Sequence, residues 1–251
     1  MPLLAKDLAK ATHLRMLCIG AARVGKTYLI NSCPRPVYVI YSDFDVTKLD
    51  SATRVSDDFV YDEVNETDGG KLLAQTEVAL REARYGKYAT VVWDTISTFA
   101  LNLCNAALGA TDKGNGSDGR QAYDTYGRHL VNTVGRLLHS SVKSHVLVLS
   151  HDRELSPEIA GQAKKRGEGI LPNIPGGIRN MVPGMFRDVV YIEKKKSTQE
   201  RFFVTGPDGV YRANCQTLPG YETFPADIEK FIAEGKKLDA ARLPPNTKKG
   251  K

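Results

Sequence analysis

Eight consecutive residues carry the clearest chemical signal in the chain: Gly20-Ala21-Ala22-Arg23-Val24-Gly25-Lys26-Thr27. They fit G-x-x-x-x-G-K-[ST], a loop whose backbone N–H groups surround phosphate oxygens. Gly20 and Gly25 permit a tight turn and a close approach of main chain to anion. Lys26 offers a cation to β- and γ-phosphates, and the Thr27 hydroxyl is a ligand for Mg2+. Tyr28 follows directly and joins residues 20–27 as a candidate nucleotide contact. The chemistry these residue types support at this spacing is the binding of a nucleoside triphosphate.

Other chemical residues stand at the ends of apolar runs. Ala89-Thr90-Val91-Val92-Trp93-Asp94 ends in a carboxylate that would share Mg2+ with Thr27. Val37-Tyr38-Val39-Ile40-Tyr41 runs out into Ser42-Asp43-Phe44-Asp45, and residues 144–150 run into His151-Asp152-Arg153. In an open α/β sheet the ligand lies at the carboxyl ends of the strands, where all of these residues would gather. His151 reads either as a satisfied polar group at a strand end or as a group beside the γ-phosphate.

The elements that must position them follow from the pattern. Residues 14–19 are short and mostly apolar, as a strand feeding the loop should be, and the next few residues make a brief helix stopped before Pro34. A strand is expected at 59–61. Residues 71–85 have helical spacing at Leu72, Leu73, Thr76, Ala79, Leu80 and Ala83. Helices are further expected over 96–108, 123–142 and 224–234, and a strand over 188–192. Strands at 201–205 and 210–213 flank Gly206-Pro207-Asp208-Gly209, a hairpin signal, so the sheet should end in antiparallel strands. Residues 109–120, with four glycines, read as a loop, either functional or an ordinary surface connection. Residues 1–12 show some helical character, and 241–251 form a basic tail expected to be disordered. Residues 1–240 read as one domain.

Composition narrows the classes. With 41% hydrophobic and 25% charged residues, the 251-residue chain has the make-up of a soluble globular protein. No apolar run approaches the roughly 18 residues needed to span a bilayer, and no signal-peptide pattern leads the chain. Cys18, Cys33, Cys104 and Cys215 are scattered, which argues for a reducing cytoplasm and against disulfides or a zinc site. The net charge of +6 suits a polyanionic partner without requiring one. Its distribution is uneven, acidic over 43–82 and basic over 164–196.

These features together resemble the RecA-like P-loop ATPases of phage, the group of ATP-dependent single-strand annealing or phage nucleotide-binding proteins. The resemblance spans about 14–215 and rests on the loop, on 37–43, 91–94 and 146–151, on Leu171-Pro172-Asn173-Ile174-Pro175-Gly176, and on Tyr123-Asp124-Thr125-Tyr126-Gly127-Arg128. It implies an α/β fold, a mostly parallel sheet flanked by helices with antiparallel strands at one edge. It implies ATP and Mg2+ as ligands and Lys26, Asp43, Asp94 and His151 as catalytic residues. Asp43 would activate water, although relatives carry Glu there and Asp45 is a rival. Lys194, Lys195 and Lys196 would act on a neighbouring subunit's γ-phosphate, or form only a solvated charge run. Two DNA-gripping loops would supply Lys113 and Arg120, and Lys164, Lys165, Arg166 and Arg179, cations suited to phosphates and not to base edges.

The expected function is therefore an ATPase that assembles as a ring or filament on single-stranded DNA and promotes annealing or recombination of phage DNA. A single-stranded-DNA-binding protein is a further expected partner, a membrane is not, and the expected location is the cytoplasm of a bacterial host. Two rivals use the same site differently: a helicase-loading or motor ATPase in replication or packaging, and a DNA-binding protein for which ATP is an assembly switch.

Overall fold

The computed structural model describes residues 13–51, 58–112, 119–153, 170–207 and 213–242. Its strands are β1 (Arg15–Gly20), β2 (Val37–Tyr41), β3 (Phe59–Glu63), β4 (Thr90–Asp94), β5 (His145–His151), β6 (Asp188–Lys194), β7 (Arg201–Val204), β8 (Asn214–Cys215) and β9 (Thr223–Pro225). They form one sheet in the order β3-β2-β4-β5-β1-β6-β7-β9, with β8 also on β6. Pairing is parallel from β3 through β6. It turns antiparallel at β6–β7, β6–β8 and β7–β9. This is the mixed α/β architecture the sequence implies, with its antiparallel strands at one edge.

Helices α1 (Gly69–Tyr85), α2 (Ile96–Asp112) and α3 (Gly119–Leu138) cover one face, and α4 (Ile228–Arg242) with the 3-10 turn Thr27–Ser32 covers the other. The central strands are apolar throughout because both faces are covered. On β1 the alternation is plain. Leu17 and Ile19 pack with Trp93, Phe99 and Leu130 on the three-helix face, while Met16 and Cys18 pack with Leu29, Val39 and Phe231 on the other. Each fully buried side chain of this size contributes about 2 kcal/mol of transfer free energy.

Several expected boundaries move. The loop expected over 109–120 is helical at both ends, with α2 running on through Gly109 to Asp112 and α3 beginning at Gly119, and 113–118 lie outside the described residues. A glycine costs about 1 kcal/mol inside a helix, and tertiary packing such as that of α2 against α3 is the main source of helix stability. Lys113 lies outside the described residues. The last helix begins at Ile228, after Phe224 has paired in β9, because Asp227 caps it by accepting the Lys230 N–H at 3.0 Å. It continues to Arg242, past the expected start of the tail, and 243–251 lie outside the described residues, as do 1–12. β7 pairs with β6 and β9, and the strand expected at 210–213 falls, except for Ala213, outside the described residues. No helix among the described residues is long and apolar enough to cross a membrane.

Candidate functional site

The phosphate loop leaves the carboxyl end of β1 between two neighbours, β5 and β6. A Cβ on Gly20 would lie 2.6 Å from Ile192 Cγ2, so only glycine lets β6 approach. Gly25 has φ +103°, a left-handed conformation that side chains oppose, and Arg23 shares that region at φ 62°. These turns fold the loop back so that Lys26 points inward.

Lys26 is only 6% exposed, and its ammonium donates to Gly20 O and Ala21 O, each at 2.7 Å. Burial pushes its pKa down, opposed in part by the fields of Asp94, Asp152 and Asp43. The same ammonium lies 3.2 Å from His151 Nδ1. An ammonium has no lone pair to accept with, so Nδ1 is the acceptor and the ring proton sits on Nε2. Burial and then the Lys26 charge push the His151 pKa down to about 4, so this ring is neutral at pH 7.

Asp94 closes the other side. Thr27 Oγ1 donates to Asp94 Oδ2 at 2.7 Å. Burial pushes this carboxyl up to about 6 against the opposing effects of Thr27 and Lys26. A hydroxyl and a carboxylate are hard oxygen donors of the kind Mg2+ takes when phosphates supply other ligands. No cluster of three or more His, Cys, Asp or Glu among the described residues could hold a metal alone. The residues thus fit a cation that arrives with the nucleotide. β4 and β2 are tied together beside it, with Ser42 N donating to Asp94 O at 2.7 Å and Trp93 Nε1 to Ser42 Oγ at 2.9 Å.

Asp43 and Asp45 part company. The field of Asp43 reaches Lys26, Asp94 and His151, and its side chain is 15% exposed. Its Oδ2 pairs with Lys48 at 2.7 Å and its Oδ1 accepts the Phe44 N–H. Asp45 Oδ1 instead accepts from Thr47 N at 3.1 Å and Thr47 Oγ1 at 2.6 Å, capping the turn Val46–Ser51. Of the two, Asp43 belongs to the site and Asp45 to the turn.

The structure adds residues the sequence did not single out. His151 N donates to Ser97 Oγ at 2.9 Å, Ser97 Oγ lies 2.9 Å from Ser150 Oγ, and Ser150 Oγ donates to His151 O at 2.9 Å. This small ring fixes the backbone of His151 against the first turn of α2. Polar Ser97 and Ser150 amid buried apolar neighbours were the available signal. Lys194, Lys195 and Lys196 are exposed where β6 turns toward β7, and Lys195 Nζ lies 3.9 Å from Glu200 Oε2. Arg120 is exposed on the first turn of α3, Arg179 is half-buried in the 3-10 turn Gly177–Asn180, and Lys164, Lys165 and Arg166 lie outside the described residues. Between α3 and that turn lies a groove of about 460 Å³ bearing exposed Tyr123 and Met181.

A family model described as AAA domain matches residues 12–220. The chain belongs to the AAA domain family. It is an ATPase-type nucleotide-binding fold with the loop, Thr27 and Asp94 in place. No curated protein matches the chain. Among solved structures it is similar to a prototypical ATPase of the type III secretion system of pathogenic bacteria, at 10% identity and TM-score 0.46, covering 73% of this chain. The match spans 52% of that ATPase, about half its length. It is also similar to the flagellar accessory protein FlaH of Methanocaldococcus jannaschii, at 11% identity and TM-score 0.37, over 80% of this chain and 83% of that one.

Proposed function

We propose that this AAA protein hydrolyses ATP to drive an assembly on single-stranded DNA that promotes annealing and recombination, as in the phage group it resembles. The observation that carries the hydrolytic part is the convergence of Lys26, Thr27, Asp94 and His151 on one loop, with Asp43 within their field. Lys26 trades the Gly20 and Ala21 carbonyls for β- and γ-phosphate oxygens and neutralises charge as the terminal bond breaks. Thr27 and Asp94 would hold Mg2+, which would supply electrophilic stabilisation of the same phosphates when bound. Asp43 accepts a proton from the attacking water, for which its Lys48 partner must yield. Neutral His151, with its proton on Nε2, reports the loss of the γ-phosphate through the serine ring to α2.

The DNA part rests on the resemblance, on Arg120 and Arg179, and on the groove bearing Tyr123, whose exposed ring suits base stacking. Lys194 to Lys196, exposed on the β6–β7 turn, reach a neighbouring subunit. Steady-state phosphate release, with and without single-stranded DNA, tests the whole: many turnovers stimulated by DNA support it, and none excludes it. One observation favours a second reading. The Asp43–Lys48 pair at 2.7 Å restrains the water-activating carboxylate, which suits ATP as an assembly switch. Nucleotide-dependent assembly without turnover would select that reading.

A further inference from the structure

The β6–β7 hairpin sends one cation back into the phosphate loop of its own chain. Arg201 opens β7 and pairs in register with Lys194, and its carbonyl accepts the Ala226 N–H at 3.1 Å, so its backbone is held from both sides. Its side chain crosses to the loop, where Nε donates to Val24 O at 3.0 Å. The guanidinium carbon lies 4.6 Å from the centre of the Tyr28 ring, a cation–π stack. Arg201 also explains Gly25 a second way: a Cβ there would lie 2.2 Å from Arg201 Nε.

One N–H of the guanidinium is thus spent on the loop, and the terminal nitrogens hold no hydrogen bond or ion pair with any described residue. An arginine anchored through Nε and stacked on an aromatic ring keeps a rigid, charged fork of N–H donors, the geometry that takes phosphate oxygens in pairs. Val24 and Tyr28, which hold it, flank Gly25-Lys26-Thr27 in the chain, so the guanidinium lies against the phosphate loop itself.

We propose that Arg201 is a nucleotide-binding residue acting within its own chain, donating its terminal N–H groups to phosphate oxygens of the bound nucleotide. This rests on the ATP-site reading above and goes beyond the loop motif, which contains no hint of it. It also divides the hairpin by role: Arg201 faces inward to its own loop, whereas Lys194 to Lys196 face solvent.

A purely structural clamp on Val24 O would give the same contacts, so the test separates charge from anchoring. The full-length protein and its Arg201→Gln, Arg201→Ala and Arg201→Lys variants are titrated with Mg2+–ATP and with ADP by calorimetry, alongside thermal melts. Glutamine can still donate to Val24 O but has no charge. The expected result is that Gln and Ala each weaken both nucleotides by about tenfold, as loss of a charge-assisted contact should, while Lys recovers part of the affinity. The salt dependence of ATP binding should also become shallower in Gln and Ala than in the parent. Affinity of Arg201→Gln within about twofold of the parent, whatever its melting temperature, overturns the proposal. Absence of ATP binding by the parent protein would instead defeat the nucleotide-site reading itself.

Discussion

Two cations, half-buried Arg15 and buried Lys26, sit at opposite ends of β1, and they are held differently. At the amino end the Arg15 guanidinium donates to Leu138 O at 3.3 Å, Leu14 O at 2.9 Å, Ser144 O at 2.6 Å and Val142 O at 2.6 Å. At the carboxyl end Lys26 donates to Gly20 O and Ala21 O of its own loop and contacts His151. Arg15 closes the last turn of α3, whose terminal carbonyls have no partners within the helix, together with the turn that follows it. Its donors are consumed by rigid backbone from two elements, and burial pushes its pKa down only to about 10, so it stays charged. Lys26 leans on two carbonyls of a glycine loop beside the carboxylates Asp94 and Asp43. A phosphate can replace those carbonyls without unfolding anything. One cation is part of the frame; the other is the proposed phosphate ligand.

The comparison predicts opposite phenotypes. Lys26→Ala should reduce ATP turnover by roughly 10²–10³-fold or more while leaving chemical denaturation nearly unchanged. Asp43→Asn should cost turnover about 10²-fold with ATP affinity retained, whereas Asp45→Asn should spare turnover, since asparagine still caps the turn. Equal effects of the two would erase the distinction between them. Arg15→Ala should destabilise by roughly 2–4 kcal/mol in urea, since several carbonyls lose their donor, yet leave ATP affinity of the folded protein unaltered. Reduced affinity in that variant at temperatures where it is fully folded would show that both ends of β1 serve the nucleotide.

The smallest effect concerns pH. His145 accepts the Leu14 N–H at Nδ1 at 2.9 Å, and burial, followed by the charges near it, lowers its pKa from 6.5 to about 4. The unfolded chain therefore binds a proton between about pH 6.5 and 4 that the folded chain refuses. The His145 contribution to stability should be full above pH 6.5 and fall as pH drops through this window, with His151 acting in the same sense and the raised Asp94 carboxyl in the opposite one. His145→Asn keeps an acceptor for Leu14 N–H and should flatten the slope of urea stability against pH; an unchanged slope would place the effect elsewhere.

The phosphate end was legible in the sequence because its chemistry is local: one loop of eight residues and strand-terminal Asp94 and His151, each announced by an apolar run. The frame end was not. Arg15 lies 123 residues from Leu138 and 129 from Ser144, and nothing in its neighbours signals the contact. Arg201 was hidden for the same reason, 177 residues from Val24. At 109–112 and 119–120 glycine content suggests a loop, whereas both stretches are helical ends of α2 and α3, which pack together. Asp43 and Asp45 differ only in which way their side chains turn, which spacing does not encode.

The most direct test is phosphate release over many turnovers by the parent protein and by Lys26→Ala, each with and without single-stranded DNA. The account predicts sustained release by the parent, raised by DNA, and none above background from Lys26→Ala. Equal release from both proteins, or none from the parent under any condition, would contradict it.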